Sequence, residues 1–221
     1  DGLVQRGGEN KEEQIKKKEK LVKSKAFKNK LEQKLREWEG ASDYAYIIKK
    51  FNEITEIPIF ESSQGGKVSK TYILLGKVED VSKVRNEYGK SIPLFAMTTI
   101  DAPENNEKTN FIFGKLEGER DTAYKSFNEM KPRMKIFIKK AIDFLKSGQT
   151  IFIACQQGKD RSVLFATIVI GILFNLSREE AYNYIKFYRP FVTTDTFTNQ
   201  WKYINEMIKN YNVDEAGGGG G

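Results

Sequence analysis

At 221 residues, with 39% hydrophobic and 12% aromatic content, the chain is long enough for one full domain with a substantial core plus an appendage. A single cysteine excludes an intramolecular disulfide, and the absence of histidine excludes a His-bearing metal cluster. The formal charge of +7 leans towards acidic partners, and residues 1–40, with 12 Lys/Arg against 8 Asp/Glu, hold four units of that excess.

Residues 1–10 are Gly-rich and polar and are expected to lack fixed structure. Lys11 to Glu39 is strongly charged, and within it Phe27, Leu31, Leu35 and Trp38 recur at helical spacing, which predicts a helix docking one narrow face. The charge run reads first as a solvated helical arm and second as a polyanion contact. Tyr44, Tyr46, Ile47 and Ile48 precede a short apolar stretch, Ile57-Pro58-Ile59-Phe60, and Ser62 to Gly66 reads as a turn or loop. Thr71 to Gly76 predicts a buried strand, Val81 to Gly89 a short helix or loop, and Ser91 to Thr99 the next strand. Asp101 to Asn106 is turn-rich, and Asn110 to Leu116 is a further strand that empties into Glu117 to Asp121.

From Ala123 to Lys146 the apolar residues Phe127, Met130, Met134, Phe137, Ile138, Ile142 and Leu145 sit three or four apart, an amphipathic helix that Pro132 can break and Gly148 ends. Thr150 to Ala154 is the strand that delivers Cys155. Val163 to Phe174 is apolar nearly all round, hence a buried helix, and too short to span a bilayer. Ser177 and Glu180 form a capping box for a helix that Pro190 stops. Phe197, Trp201, Ile204 and Ile208 mark a last amphipathic helix from Thr196 to Tyr211, and the glycine tail at 217–221 carries no fold argument. The reading is an arm at 1–40, a domain at 41–213 and a Gly-rich tail at 214–221. Strands alternating with helices predict an α/β fold with a central, largely parallel sheet flanked by helices.

Ile151-Phe152-Ile153-Ala154-Cys155 runs into Gln156-Gln157-Gly158-Lys159-Asp160-Arg161-Ser162 and then the buried helix. A short loop closing onto a helix N-terminus aims backbone N–H groups at one spot and favours an anion there. A cysteine opening such a loop gains thiolate character, and Arg161 offers a planar fork for two phosphate oxygens. Ligands of such sheets bind outside the strand C-termini, where Cys155 falls. Lys159 reads either as a contact to a second phosphate or anionic head group, or as a solvent-facing lysine. Asp160 reads as a partner for a neighbouring cation or for loop amides. The bland reading of Cys155 is a small buried apolar residue.

Cys155, five intervening residues and Arg161-Ser162 resemble the C-x5-R-[S/T] loop of cysteine-dependent protein phosphatases, nearest to the dual-specificity branch. The likeness covers Lys70 to Tyr211 and takes in Tyr72-Ile73-Leu74-Leu75-Gly76 and Tyr188-Arg189-Pro190; Ala154 departs from it, where the family has histidine. The resemblance implies a protein tyrosine/dual-specificity phosphatase fold and metal-independent hydrolysis without a cofactor. It implies Cys155 as nucleophile, Arg161 as clamp, Ser162 as aid to the departing thiolate, and Gln156, Gln157, Gly158, Lys159 and Asp160 as the substrate cradle. By the family's order of elements the general acid is Asp121, with Glu117 and Glu119 in the same loop and Asp101 as the alternative. A phosphoprotein is the expected substrate, with RNA and phosphoinositides left open by the basic charge.

Two other readings stand beside this one. Ala154 points to a phosphate-binding module with impaired turnover. Gly158-Lys159-Asp160 and Glu117-Gly118-Glu119-Arg120 are also similar to the phosphatase-like C-terminal domain of initiator-tRNA ribosyl-phosphate transferases, which implies binding of phosphorylated RNA. A lone reduced thiol and a charged N-terminus without a signal-peptide pattern predict cytosol or nucleus.

Overall fold

The computed structural model describes residues 10–114, 120–193 and 201–218, with side chains over 10–114, 127–193 and 203–211. In chain order the helices are α1 (Lys11–Lys23), α2 (Lys25–Glu39), α3 (Tyr44–Asn52), α4 (Val81–Tyr88), α5 (Arg120–Lys146), α6 (Arg161–Leu173), α7 (Arg178–Tyr188) and α8 (Trp201–Gly218). The strands are β1 (Thr55–Gln64), β2 (Lys67–Lys77), β3 (Leu94–Ala96), β4 (Asn110–Ile112) and β5 (Ile151–Cys155). They form one sheet in the order β1-β2-β5-β3-β4. β1 and β2 pair antiparallel, and β2, β5, β3 and β4 run parallel. The largely parallel sheet is therefore as expected, with an antiparallel edge.

Both faces of this sheet are covered, so its strands read as continuous apolar runs in which neighbours serve opposite layers. Ile73, Leu75, Phe95, Ile151, Ile153 and Cys155 join the larger core with α5, α6, α7 and α8. Leu74, Leu94, Ala96, Phe152 and Ala154 join a smaller layer with Val84 and Ile92. All residues of α6 from Ser162 to Leu173 are buried. Each fully buried Ile, Leu, Val or Phe side chain stabilises by about 1.5–3 kcal/mol, so α6 anchors the end of the loop that precedes it.

Several boundaries differ from the sequence expectation. The turn at 62–66 shrinks to Gly65-Gly66, both at positive φ, because Ser62, Ser63 and Gln64 pair with Ser69, Val68 and Lys67. Of the strand expected at 91–99 only Leu94–Ala96 pairs, and among the described residues of that expected at 110–116 pairing covers Asn110–Ile112. Pro132 does not break α5. It lies on the exposed face, where a freed carbonyl can be solvated, and Phe127, Met130, Met134 and Phe137 stay buried on either side of it. The capping box at Ser177 and Glu180 is present. Residues 196–200 of the expected last helix lie outside the described residues.

The charged N-terminal segment docks one narrow face, with Phe27 and Leu31 buried and most of its charged residues exposed. Ser24 separates two helices and caps the second, accepting from Phe27 N–H at 3.1 Å. Val22 and Phe27 enter the same core cluster as Ile57, Phe60 and Tyr184, so no core boundary falls at residue 40. The ammonium groups of Lys18 and Lys34 lie over the rings of Tyr184 and Phe187. Among the described residues no single helix is long and apolar enough to cross a membrane.

Candidate active site

β5 carries Cys155 to the sheet's C-terminal edge between β2 and β3, with Lys77 alongside Cys155 and Ala96 alongside Ala154. The chain then turns through 156–160 into α6, so Cys155 sits below a helix N-terminus. It is 2% exposed. Its Sγ accepts a hydrogen bond from Gly158 N–H at 3.2 Å. The thiol donates to Ser162 Oγ over 3.3 Å, and on ionisation the same hydroxyl can turn and donate to the thiolate. Burial is the largest single influence on the thiol and opposes ionisation. The Ser162 hydroxyl and the N–H groups of Ser162, Gly158 and Gln157 together outweigh it and bring the thiol below its ordinary value of 9.0.

This has a measurable sign. The folded chain favours the thiolate, so the group contributes stability that is fully present above about pH 9 and lost as pH falls through the lower folded value. Iodoacetamide should accordingly label Cys155 in the folded protein with a half-rise below pH 9, while urea-unfolded protein shows the ordinary thiol profile. Coincident profiles would remove the claim of an activated thiol.

Gly158 is fixed twice over. Its φ of 66° is left-handed, and a Cβ on it would lie 2.8 Å from the backbone carbon and oxygen of Gly76 on β2. The glycine that ends the β2 apolar run is thus the floor on which the loop rests. The loop is also tied from its far side, since Thr193 N–H donates to the Lys159 carbonyl at 2.9 Å. Lys159 Nζ lies 4.1 Å over the Phe51 ring, and Phe51 packs on Trp38 and Phe191. Half-buried, the Lys159 side chain leans on an aromatic wall from the N-terminal helices.

The remaining expected residues are placed unequally. Arg161 opens α6, half-buried, directly before the buried Ser162. Gln156 and Gln157 are exposed, and Asp160 is half-buried, its carbonyl accepting from Leu164 N–H. Asp101 is exposed in the loop after β3, in the left-handed region at φ 57°. Asp121 falls in α5, but its side chain, like Glu117 and Glu119, lies outside the described residues. Ala154 is fully buried in the smaller layer beside Leu74, Ala96 and Phe152, on the face opposite Cys155. Among the described residues no group of three His, Cys, Asp or Glu side chains is arranged to hold a metal ion.

Sequence reading missed the residues that brace the loop. Arg189 was visible only as part of an Arg-Pro pair at a helix end, yet its guanidinium donates to the Gly158 carbonyl. Its other acceptors are the Glu53 carbonyl and Thr55 Oγ1. These come from the N-terminal sixty residues, outside the resemblance, and no spacing pattern links them to position 158.

No family model matches the sequence, and no curated protein matches it. Solved structures do match. Human DUSP28 is 13% identical, with a TM-score of 0.50 over 62% of this chain and 90% of that one. PTPMT1, solved in complex with PI(5)P, is 15% identical with a TM-score of 0.49 over 64% and 92%. A leucine rich repeat and phosphatase domain containing protein from Entamoeba histolytica is 16% identical, with a TM-score of 0.49 over 75% and 98%. At such identities it is the fold that is shared. A five-stranded sheet with Cys155 at its C-terminal edge and a loop closing on α6 gives this chain the fold of the tyrosine and dual-specificity phosphatases.

Proposed function

We propose that the chain is a metal-independent phosphatase that works through a cysteinyl-phosphate intermediate, with phosphoproteins as its substrate class. The observation that carries this reading is the Cys155 thiol held by Gly158 N–H and Ser162 Oγ at the foot of α6. In the first step the Cys155 thiolate attacks phosphorus; the S–P bond forms and the P–O ester bond breaks. Arg161 and the loop N–H groups hold the equatorial oxygens, while the Asp121 carboxyl gives its proton to the leaving oxygen. In the second step water attacks phosphorus, its proton passes to the Asp121 carboxylate, and the S–P bond breaks. Ser162 donates to the departing thiolate. Asp101 is the alternative acid, and Gln156, Gln157, Lys159 and Asp160 shape the rim of the cradle. The proposed setting is a reducing compartment, cytosol or nucleus, in which the thiol persists.

The test is phosphate release from phosphotyrosine and phosphothreonine peptides, 5′-phosphorylated RNA and phosphoinositides, with Cys155→Ser protein as the control. Release from the peptides that depends on Cys155 is the expected result. Release confined to RNA or lipid would change the substrate class, and none from any substrate would sink the enzyme. Ala154 favours the second reading, a phosphate- or RNA-binding module of impaired turnover, because the position next to the nucleophile offers the loop no polar group. Vanadate or tungstate binding without turnover would support it.

A further inference from the structure

Arg189 follows the last residue of α7, where Pro190 prevents the helix from continuing. Its side chain is 0% exposed, and a guanidinium in such a place is costly unless its donors are satisfied. Nε donates to the Gly158 carbonyl at 2.8 Å, and Nη1 donates to the Glu53 carbonyl at 2.9 Å and to Thr55 Oγ1 at 2.8 Å. The guanidinium carbon lies 4.4 Å from the centre of the Phe191 ring. Every acceptor is a neutral oxygen, so the positive charge is solvated by dipoles and a ring face without a bonded carboxylate. Nη2 has no hydrogen-bond partner among the described residues and abuts Gly158, where an added Cβ would come within 2.8 Å of it.

The peptide geometry says what this does. A trans peptide sets its C=O and N–H in opposite directions, and the described chain has no cis bond. Holding the Gly158 carbonyl on Arg189 therefore turns the Lys159 N–H away from the guanidinium. It also fixes the left-handed turn whose other side presents Gly158 N–H to Cys155 Sγ. Burial lowers the Arg189 pKa to about 10, while the charges of Cys155 and Glu53 act in the opposite sense. The attraction between thiolate and guanidinium is mutual and is little screened at this depth.

We infer that Arg189 is the positioning residue of the thiolate loop. From beneath, it locks Gly158 so that the Gly158 N–H stays on Cys155 Sγ, and it adds a buried positive charge to that supplied by Arg161. The inference rests on Cys155 being the functional thiol, and its test is independent of turnover.

The experiment compares Arg189→Met and Arg189→Lys with wild type by iodoacetamide labelling of Cys155 across pH 5–9, with thermal unfolding in parallel. Arg189→Met should move the labelling profile to higher pH and slow labelling at pH 6 about tenfold, the effect of one pH unit on the thiolate fraction. Arg189→Lys should fall between the two, because an ammonium keeps the charge but cannot reach Gly158, Glu53 and Thr55 together. A structural role alone would lower the melting temperature and leave the profile unmoved; profiles of folded variants superposing on wild type would overturn the inference. If Arg189→Met does not fold, the lysine variant's profile decides. Absence of phosphate release from every substrate would refute the phosphatase and leave this result unchanged.

Discussion

Cys155→Ser protein should keep its fold and its hold on vanadate while releasing phosphate at least about a thousandfold more slowly than wild type, as expected when a covalent nucleophile is removed. A serine hydroxyl can accept from Gly158 N–H and donate to Ser162 Oγ as the thiol does, so the loop has no reason to open. What is lost is ionisation. The environment of Cys155 is arranged to favour an anion on a group whose ordinary value is 9.0, and a serine hydroxyl stays protonated in the same place. The loop N–H groups and Arg161 remain, so anion binding should change little. Single-turnover release and vanadate titration, run on the same preparations, read the two effects separately. Equal release by both proteins would assign the chemistry elsewhere.

Gly158→Ala should destabilise the chain by about 2–5 kcal/mol, the sum of about 1–2 for a left-handed non-glycine and about 1–3 for overpacking. The Cβ has nowhere to go: the Gly76 backbone carbon and oxygen and Arg189 Nη2 each lie 2.8 Å from its position. For a chain of this size the unfolding midpoint should fall by about 4–20 °C, since each kcal/mol moves it by about 2–4 °C. Gly65→Ala is the matched control. Gly65 has a similar φ of 57° but nothing within 4 Å of an added Cβ, so it should lose only about 1–2 kcal/mol. Equal midpoints for the two variants would mean that the loop does not rest on Gly76 in solution. Thiol labelling of the Gly158 variant should also slow, because the displaced peptide carries the N–H that Cys155 accepts from.

The layout was legible where one physical rule dominated. Continuous apolar runs marked β2 and β5 as strands buried on both faces, and α6 as a helix with no exposed stripe. Cys155, Gly158 and Ser162 could be named because they follow one another on a strand-loop-helix, where local geometry alone brings them together. Ala154 was visible as a departure, but its surroundings were not. The alternation of a strand puts Cys155 in the larger core and its neighbour in the smaller one, where an imidazole would meet only apolar side chains. The spacing of Phe27 and Leu31 made the docked face of the N-terminal helices legible, but not that this face joins the main core. Lys18 and Lys34 set their ammonium groups over rings of α7, and only Val22, Phe27 and Leu31 of α1 and α2 are buried.

From residue order alone the chain declares an α/β domain with a thiol where a buried strand turns through a short loop into a buried helix, since those relations are local and each is set by neighbours a few positions apart. What holds that loop in one shape is decided by contacts across 82 and 31 positions, Gly76 beneath Gly158 and Arg189 on its carbonyl. Glu53 and Thr55 complete the brace from more than a hundred positions before Arg189. Such contacts obey no periodicity, and only the packed sheet, which lays β1, β2 and β5 side by side, brings them within hydrogen-bonding reach.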